Sequence, residues 1–269
     1  MTRPPKLVAV DVDGTMLRSD GLISDRVLSA MGEAVASDIH VVPATGRPVL
    51  VASDVVESSG LNQFWVFGNG AITRHIERDE LIRGFWMDRS VVEQVIERIR
   101  SRFPGARFAV EFESTVAYEA GFEHVVPVAP PIPPSENLAA AIEGIGERIQ
   151  KVLVFDSSVE IGVLWAEVSA SVAGLAAPSL SGLPFIELAP HNVSKATALE
   201  LLARDLGIPA SQVVAIGDNH NDVTMLQWAG TGYAMGNAEA SVKQEADAVL
   251  PTNDEDGVAV LIESLLSQS

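Results

Sequence analysis

The chain has 269 residues, 47% of them hydrophobic and 20% charged, a composition able to bury a sizeable core as one large domain or two smaller ones. Its 18 basic and 36 acidic residues give a formal charge of −18, which repels nucleic-acid backbones and anionic membrane surfaces at long range; a small anion would need a local cation. With no cysteine, the sequence excludes disulfides, thiolate metal sites and cysteine nucleophiles.

The opening Met1-Thr2-Arg3-Pro4-Pro5-Lys6 is basic, but the apolar run behind it is broken by Asp11 and Asp13, too soon for a signal-peptide core. No apolar run approaches the ~18 residues of a membrane span. A cytoplasmic protein with neither a membrane nor a nucleic-acid partner is expected.

Leu7-Val8-Ala9-Val10 reads as a fully buried strand of a parallel sheet, and Asp11-Val12-Asp13-Gly14-Thr15 stands at its C-terminal end. Residues two apart on extended backbone point the same way, so Asp11 and Asp13 face one side at the lip where open α/β sheets bind ligands. Two carboxylates this close call for a cation, a shared proton or strong donors. Asp20-Gly21 is turn chemistry, and Ser24 or Asp25 caps a helix running to about Ser37.

Ile39 to Ala44 forms a second strand ending in Thr45-Gly46-Arg47-Pro48. Two readings of Thr45 stand at this point, a helix cap and a ligand hydroxyl, and Arg47 is either a site guanidinium or a solvated arm. A helix over Val49 to Ser59 stops at Gly60, and Phe64 to Phe67 is a third strand entering Gly68-Asn69-Gly70. That string is either a plain tight turn or a close backbone approach to a ligand. Strand, helix, strand, helix, strand argues for a doubly wound parallel α/β sheet with crossover helices.

The pattern then changes. Candidate strands Leu81 to Phe85, Arg107 to Phe112, Lys151 to Phe155 and Phe185 to Leu188 alternate with candidate helices Ser90 to Arg102, Glu136 to Arg148 and Ser158 to Ala173. Residues 83–187 are therefore expected to form an inserted α+β domain, with 1–82 and 188–269 forming the core. Pro127, Pro130, Pro131, Pro133 and Pro134 would stiffen one of its loops. His191 and His220 lie near strand ends, but the five histidines lack metal-ligand spacing and are expected as hydrogen-bonding loop residues.

Asn192 or Ser194 caps a helix from Ala196 to Leu206 and leaves Lys195 in its first turn, an unfavourable place for a cation unless an anion waits there. The other reading of Lys195 is a solvated side chain. Val213 to Ile216 is a further buried strand, running into Gly217-Asp218-Asn219-His220-Asn221-Asp222, a second strand-end acid cluster. Short strands at Ala234 to Gly236 and Ala248 to Leu250 and a helix over Val258 to Leu266 complete the sheet. Several carboxylates without His or Cys in ligand spacing suit a hard divalent cation, with Mg²⁺ the natural one beside a phosphate. Carboxylate, hydroxyl and ammonium together suit phosphoryl transfer.

Asp11-x-Asp13-Gly14-Thr15, Thr45, Lys195 and Gly217-Asp218-x-x-Asn221-Asp222 resemble the four motifs of the haloacid dehalogenase superfamily. Thr45-Gly46-Arg47, Asn69-Gly70-Ala71, Val193 to Leu199 and Ala234-Met235-Gly236-Asn237-Ala238 are similar to its Cof-type branch (subfamily IIB, C2 cap), although Ser194 replaces the Gly that many members carry before the lysine. The resemblance implies a Rossmann-like core with an inserted cap that selects the substrate, and a Mg²⁺-dependent phosphatase acting on a small phosphate ester through an aspartyl-phosphate. It implies Asp11 as nucleophile and metal ligand, and Asp13 as general acid and base whose carbonyl ligates the metal. Thr45, Gly46, Arg47, Asn69, Lys195 and Asn221 would bind phosphate or substrate. Asp218 would ligate the metal, and Asp222 would ligate it or support it. A phosphosugar mutase and a non-catalytic regulatory protein are the alternatives, and a monomer or small homo-oligomer is expected.

Overall fold

A computed structural model of the chain describes residues 5–113, 115–125, 133–146, 148–180 and 183–267. Expectations that fall on Met1 to Pro4 and on Pro127, Pro130 and Pro131 lie outside these residues; Pro133 and Pro134 are described and exposed. The chain divides into two compact units, one of Met1–Arg47, Ala52–Gly84 and Ser194–Ser269, the other of Pro48–Val51 and Phe85–Val193.

The first part of the first unit runs β1 (Leu7–Asp11), α1 (Asp25–Ala36), β2 (His40–Ala44), α2 (Val49–Ser59), β3 (Phe64–Phe67), β4 (Ile72–His75) and β5 (Glu80–Gly84). Within the second unit come α3 (Arg89–Arg102), β6 (Arg107–Phe112), β7 (Val116–Tyr118), α4 (Leu138–Ile145), β8 (Ile149–Phe155), α5 (Ile161–Ser171), β9 (Ala176–Ser179) and β10 (Ile186–Pro190). The first unit resumes with α6 (Lys195–Asp205), β11 (Val213–Gly217), α7 (Val223–Trp228), β12 (Thr231–Ala234), α8 (Ala240–Gln244), β13 (Ala248–Val249) and α9 (Gly257–Ser267).

Among the described residues, eight strands of the first unit form one sheet in the order β13-β12-β11-β1-β2-β3-β4-β5. Pairing is parallel from β13 to β3, and β4 and β5 are added antiparallel at one edge. β1 is central, and all five of its residues are buried. Its side chains alternate between faces: Leu7 and Ala9 pack with Val213 and Ala215 of β11 against Ala198, Leu199 and Leu202 of α6. Full burial of Leu7, Val8 and Val10 contributes roughly 1.5–3 kcal/mol each, which fixes this strand and hence the place where Asp11 emerges.

Helix ends follow local chemistry. Ser24 caps α1 by accepting from Val27 N at 3.1 Å, and Ser194 caps α6 by accepting from Thr197 N at 3.2 Å. The expected helix from Ser158 begins later, at Ile161. Ser158 instead turns back on Asp156, donating from N and Oγ at 2.9 and 2.6 Å, while Glu160 caps Val163 N. The helix expected through Arg148 stops at Ile145, because Gly146 takes a φ of +116° and the chain enters β8 at Ile149.

The strand expected at Leu81 to Phe85 belongs to the first unit rather than the inserted one. A short turn after β4 folds β5 back antiparallel onto it, with Thr73 opposite Arg83. The expected return to the core at 188 also moves. Leu188 pairs with Val152 and Pro178, and Pro190 with Ala176, so β10 joins an antiparallel sheet that among the described residues has five strands, β7-β6-β8-β10-β9, and belongs wholly to the second unit. That sheet packs on α3, α4 and α5 through Val92, Val95, Ile99, Ile142, Leu164 and Val168. Among the described residues, no helix is long and apolar enough to cross a membrane.

Candidate active site

β1, β2, β3 and β11 are parallel neighbours, so their C-terminal ends come out along one edge of the sheet. Asp11 ends β1, Thr45 follows β2, Gly68-Asn69-Gly70 follows β3 and Asp218 follows β11. The two acid clusters, more than 200 residues apart in sequence, meet because β1 pairs directly with β11.

Lys195 is the hub. Its side chain is fully buried, and its Nζ donates to Asp11 Oδ1 and, at 2.7 Å, to Asp222 Oδ1. Asp222 Oδ2 accepts from the main-chain nitrogens of Asp218 and Asn219, each at 3.0 Å, so both of its oxygens are engaged. Carboxylate oxygens of Asp11, Asp218 and Asp222 lie within 4.8 Å of one another.

These positions set the charges. Burial, and then the neighbouring Asp222, push the Asp11 carboxyl well above the usual carboxylate range, with Lys195 pulling the other way. Burial, and then Asp222, raise Asp218 to about 6, against hydrogen bonds to Asp11 and Thr15. Burial works against the Lys195 charge, but Asp11 and Asp222 outweigh it and raise its pKa above the ordinary lysine value.

The turn after β1 is tight. Leu17 N donates to Val12 O at 2.8 Å, and Gly14 takes a φ of +82°. A Cβ at Gly14 would stand 2.3 Å from Asp218 Oδ2, so only glycine lets the turn lie this close to the acid. Thr15 Oγ1 donates to Asp218 Oδ1 at 3.2 Å.

Asp13 points elsewhere. Its half-exposed carboxylate is gripped by Arg47, whose Nε lies 2.9 Å from Oδ2 and whose guanidinium also donates to Oδ1 at 2.5 Å. The Thr45 hydroxyl is buried and accepts from Arg47 N at 3.0 Å, which leaves its own hydrogen to donate. Asn69, buried at a φ of +55°, donates from its main-chain nitrogen to Thr45 O (3.0 Å), and its Oδ1 accepts from Asn221 Nδ2 (2.9 Å). Gly46 is packed so that a Cβ there would meet Asn69 Oδ1 at 3.2 Å. The sequence-derived residues Asp11, Asp13, Thr45, Gly46, Arg47, Asn69, Lys195, Asp218, Asn221 and Asp222 thus all lie at the strand-end edge of the first unit. His220 does not join them; its Nε2 faces Glu239 at 3.4 Å.

Residues 8–262 match the family of haloacid dehalogenase-like hydrolases. The chain belongs to this family. It is 28% identical to the 5-amino-6-(5-phospho-D-ribitylamino)uracil phosphatase YitU of Bacillus subtilis, over 99% of this chain and all of that one. It is 30% identical to the phosphatase YwpJ of the same organism, over 97% of this chain and all of the relative. A haloacid dehalogenase-like hydrolase from Bacteroides thetaiotaomicron, 28% identical, superposes with a TM-score of 0.82 over 97% of this chain and 99% of that one.

In this haloacid dehalogenase-like hydrolase, the strand-end acids and the lysine were visible as a sequence pattern. Reading the residues one at a time did not find the side chains that orient them. Thr15 and Asn237 touch Asp218, Asn237 at 3.5 Å, and the Asp13–Arg47 fork joins residues from different strand ends. The only sequence signal for these was membership of motif strings, since amide and hydroxyl side chains carry no periodicity.

Proposed function

We propose that this hydrolase is a Mg²⁺-dependent phosphatase that cleaves a small phosphorylated metabolite through an aspartyl-phosphate on Asp11. The observation that carries the reading is the buried Lys195 ammonium shared between Asp11 and Asp222, with Asp218 beside them. Such a concentration of charge at the end of the central strand is expensive as mere scaffolding.

Three clustered carboxylates with no nitrogen or sulfur donor among them fit a hard cation, and the raised pKa values of Asp11 and Asp218 are relieved by one. Asp11, Asp218 and the Asp13 carbonyl would hold it, and Asp222, with both oxygens engaged, would anchor Lys195 and the Asp218 loop. When bound, Mg²⁺ would supply positive charge that holds a phosphoryl oxygen beside the carboxylates.

The chain's own groups account for the rest. Lys195 favours the ionised form of Asp11 that attacks phosphorus, and its third N–H reaches a phosphoryl oxygen. The Thr45 hydroxyl hydrogen donates to another. Asp11 forms its bond to phosphorus as the ester oxygen leaves, taking a proton from Asp13. A water then attacks the same phosphorus, gives its proton to Asp13, and releases inorganic phosphate and the Asp11 carboxylate. Arg47 orients Asp13 in the resting site. The unit containing Phe85–Val193 is taken as the cap that recognises the leaving group, with a cytoplasmic enzyme free of membrane or nucleic-acid partners the expected setting.

Phosphate release from an aryl phosphate and a panel of sugar phosphates, nucleotides and phosphorylated cofactors, with and without Mg²⁺, tests the reading. 5-amino-6-(5-phospho-D-ribitylamino)uracil belongs in the panel because relatives carry that name. Mg²⁺-dependent release that Asp11→Asn abolishes, with the fold intact by circular dichroism, is the expected outcome; full turnover in that variant would remove the nucleophile assignment.

A further inference from the structure

The string Ala234-Met235-Gly236-Asn237-Ala238 resembled a family pattern, yet none of the roles above uses it. Asn237 follows β12, the strand beside β11, and its Nδ2 donates to Gly14 O at 2.8 Å while standing 3.5 Å from Asp218 Oδ2. One amide group therefore touches both the turn that carries Asp13 and the acid that faces it.

The amide is itself held. Asn237 Oδ1 accepts from Asn253 N at 3.1 Å, which fixes which end of the side chain is oxygen and which is nitrogen. Asn253 is buried, and its own Nδ2 donates to Leu17 O at 2.9 Å, the residue that closes the same turn. Lys243 Nζ, donating to Gly236 O at 2.7 Å, steadies the main chain just before Asn237. Two asparagines thus staple the turn at both ends, at Gly14 and at Leu17, and reference it to Asp218.

The need for a staple is physical. Asp218 sits against the Cα of Gly14 with no room for a Cβ, and Thr15 holds only its other oxygen. Without Asn237, the Gly14 carbonyl and Asp218 Oδ2 would each lose a donor, and beyond the β1–β11 pairing only the Thr15 hydroxyl would tie the turn to Asp218 against mutual repulsion. Groups that orient metal-ligating carboxylates in this way tune how tightly the metal is held.

We propose that Asn237, braced by Asn253, is a positioning residue that sets the Mg²⁺ affinity of the site by fixing the Asp218 carboxylate and the Gly14 peptide relative to each other. The proposal rests on the metal-dependent reading given above.

The test is Mg²⁺ binding by calorimetry, and the Mg²⁺-induced rise in melting temperature, on the full chain without substrate, followed by the Mg²⁺ dependence of phosphate release. Asn237→Ala is expected to weaken Mg²⁺ binding about tenfold, the lower end for residues that orient ligands, with excess Mg²⁺ restoring turnover. Asn237→Asp, which puts an acceptor where the donor stood, is expected to weaken it at least as much. Asn253→Ala combined with Asn237→Ala should add little to the single change, because the two act as one unit. Ser241→Ala, on the exposed surface nearby, should bind like the wild type. Wild-type Mg²⁺ affinity in Asn237→Ala, or a fall in turnover that excess Mg²⁺ does not restore, overturns the proposal while leaving the metal-dependent reading standing. If the wild type itself binds no Mg²⁺ in calorimetry, that reading fails and the proposal goes with it.

Discussion

Replacing Lys195 by methionine isolates the charge at the centre of the site. Methionine nearly matches the apolar length of the lysine stem, so the change leaves little cavity and removes chiefly the ammonium. The Asp11 and Asp222 side chains are then 7% and 0% exposed with their shared cation gone. Removing one partner of a buried ion pair destabilises by about 3–5 kcal/mol. At roughly 2–4 °C per kcal/mol for a chain of this size, the metal-free variant should melt about 6–20 °C below the wild type at pH 8.

The pH dependence carries the argument. Burial already holds the Asp11 carboxyl above the ordinary aspartate range in the folded state, and loss of Lys195 raises it further. The folded state therefore binds protons more tightly than the unfolded state. Stability from the protonated acid is present at low pH and is lost as pH rises through the raised value. Asp218, raised to about 6 in the wild type, acts in the same direction. Lys195 in the wild type stays charged throughout, so the melting gap should widen from pH 5 to pH 8. Thermal unfolding in chelator at the two pH values is the assay; an equal gap at both, or a gap under about 3 °C at pH 8, would refute the electrostatic account.

Two further outcomes follow from the same groups. Because Asp218 is raised to about 6 and must lose its proton to hold a cation, the Mg²⁺-induced rise in melting temperature should be large at pH 7.5 and small at pH 5, read in parallel titrations. Gly14→Ala adds a Cβ 2.3 Å from Asp218 Oδ2 at a φ of +82°, and should lose about 1–3 kcal/mol in denaturant unfolding together with Mg²⁺ affinity; a fully stable variant would show that the turn relaxes freely.

How much of this was legible in the sequence depended on whether the information was local. β1 and β11 were readable because an apolar run ending in acid needs only its own residues, and Ser194 was readable as a cap because its hydroxyl bonds three residues on. β4 was missed because four residues, Ile72-Thr73-Arg74-His75, are too few for alternation to stand out before a charged turn. β9 was missed because Pro178 argues against a strand; it is tolerated here because β9 is an edge. α7, at six residues, is too short to show a helical period. The contacts that orient the site, Arg47 on Asp13 and Asn237 on Gly14, span 34 and 223 residues, and no pattern along one chain encodes them.

Lys195 shows where local reasoning was sound and still incomplete. A lysine in the first turn of α6 opposes the helix dipole, and of the two sequence readings, an anion at the helix end or a solvated side chain, the first is the one the buried lysine fits. The structure supplies that anion from the protein itself, as Asp11 from β1 and Asp222 from the turn after β11. A phosphate arriving at this helix end therefore meets an ammonium already shared between two carboxylates, rather than a free charge awaiting it. Phosphate alone should bind weakly in the absence of a divalent cation, since net negative charge in the Asp11, Asp218 and Asp222 cluster outweighs one lysine.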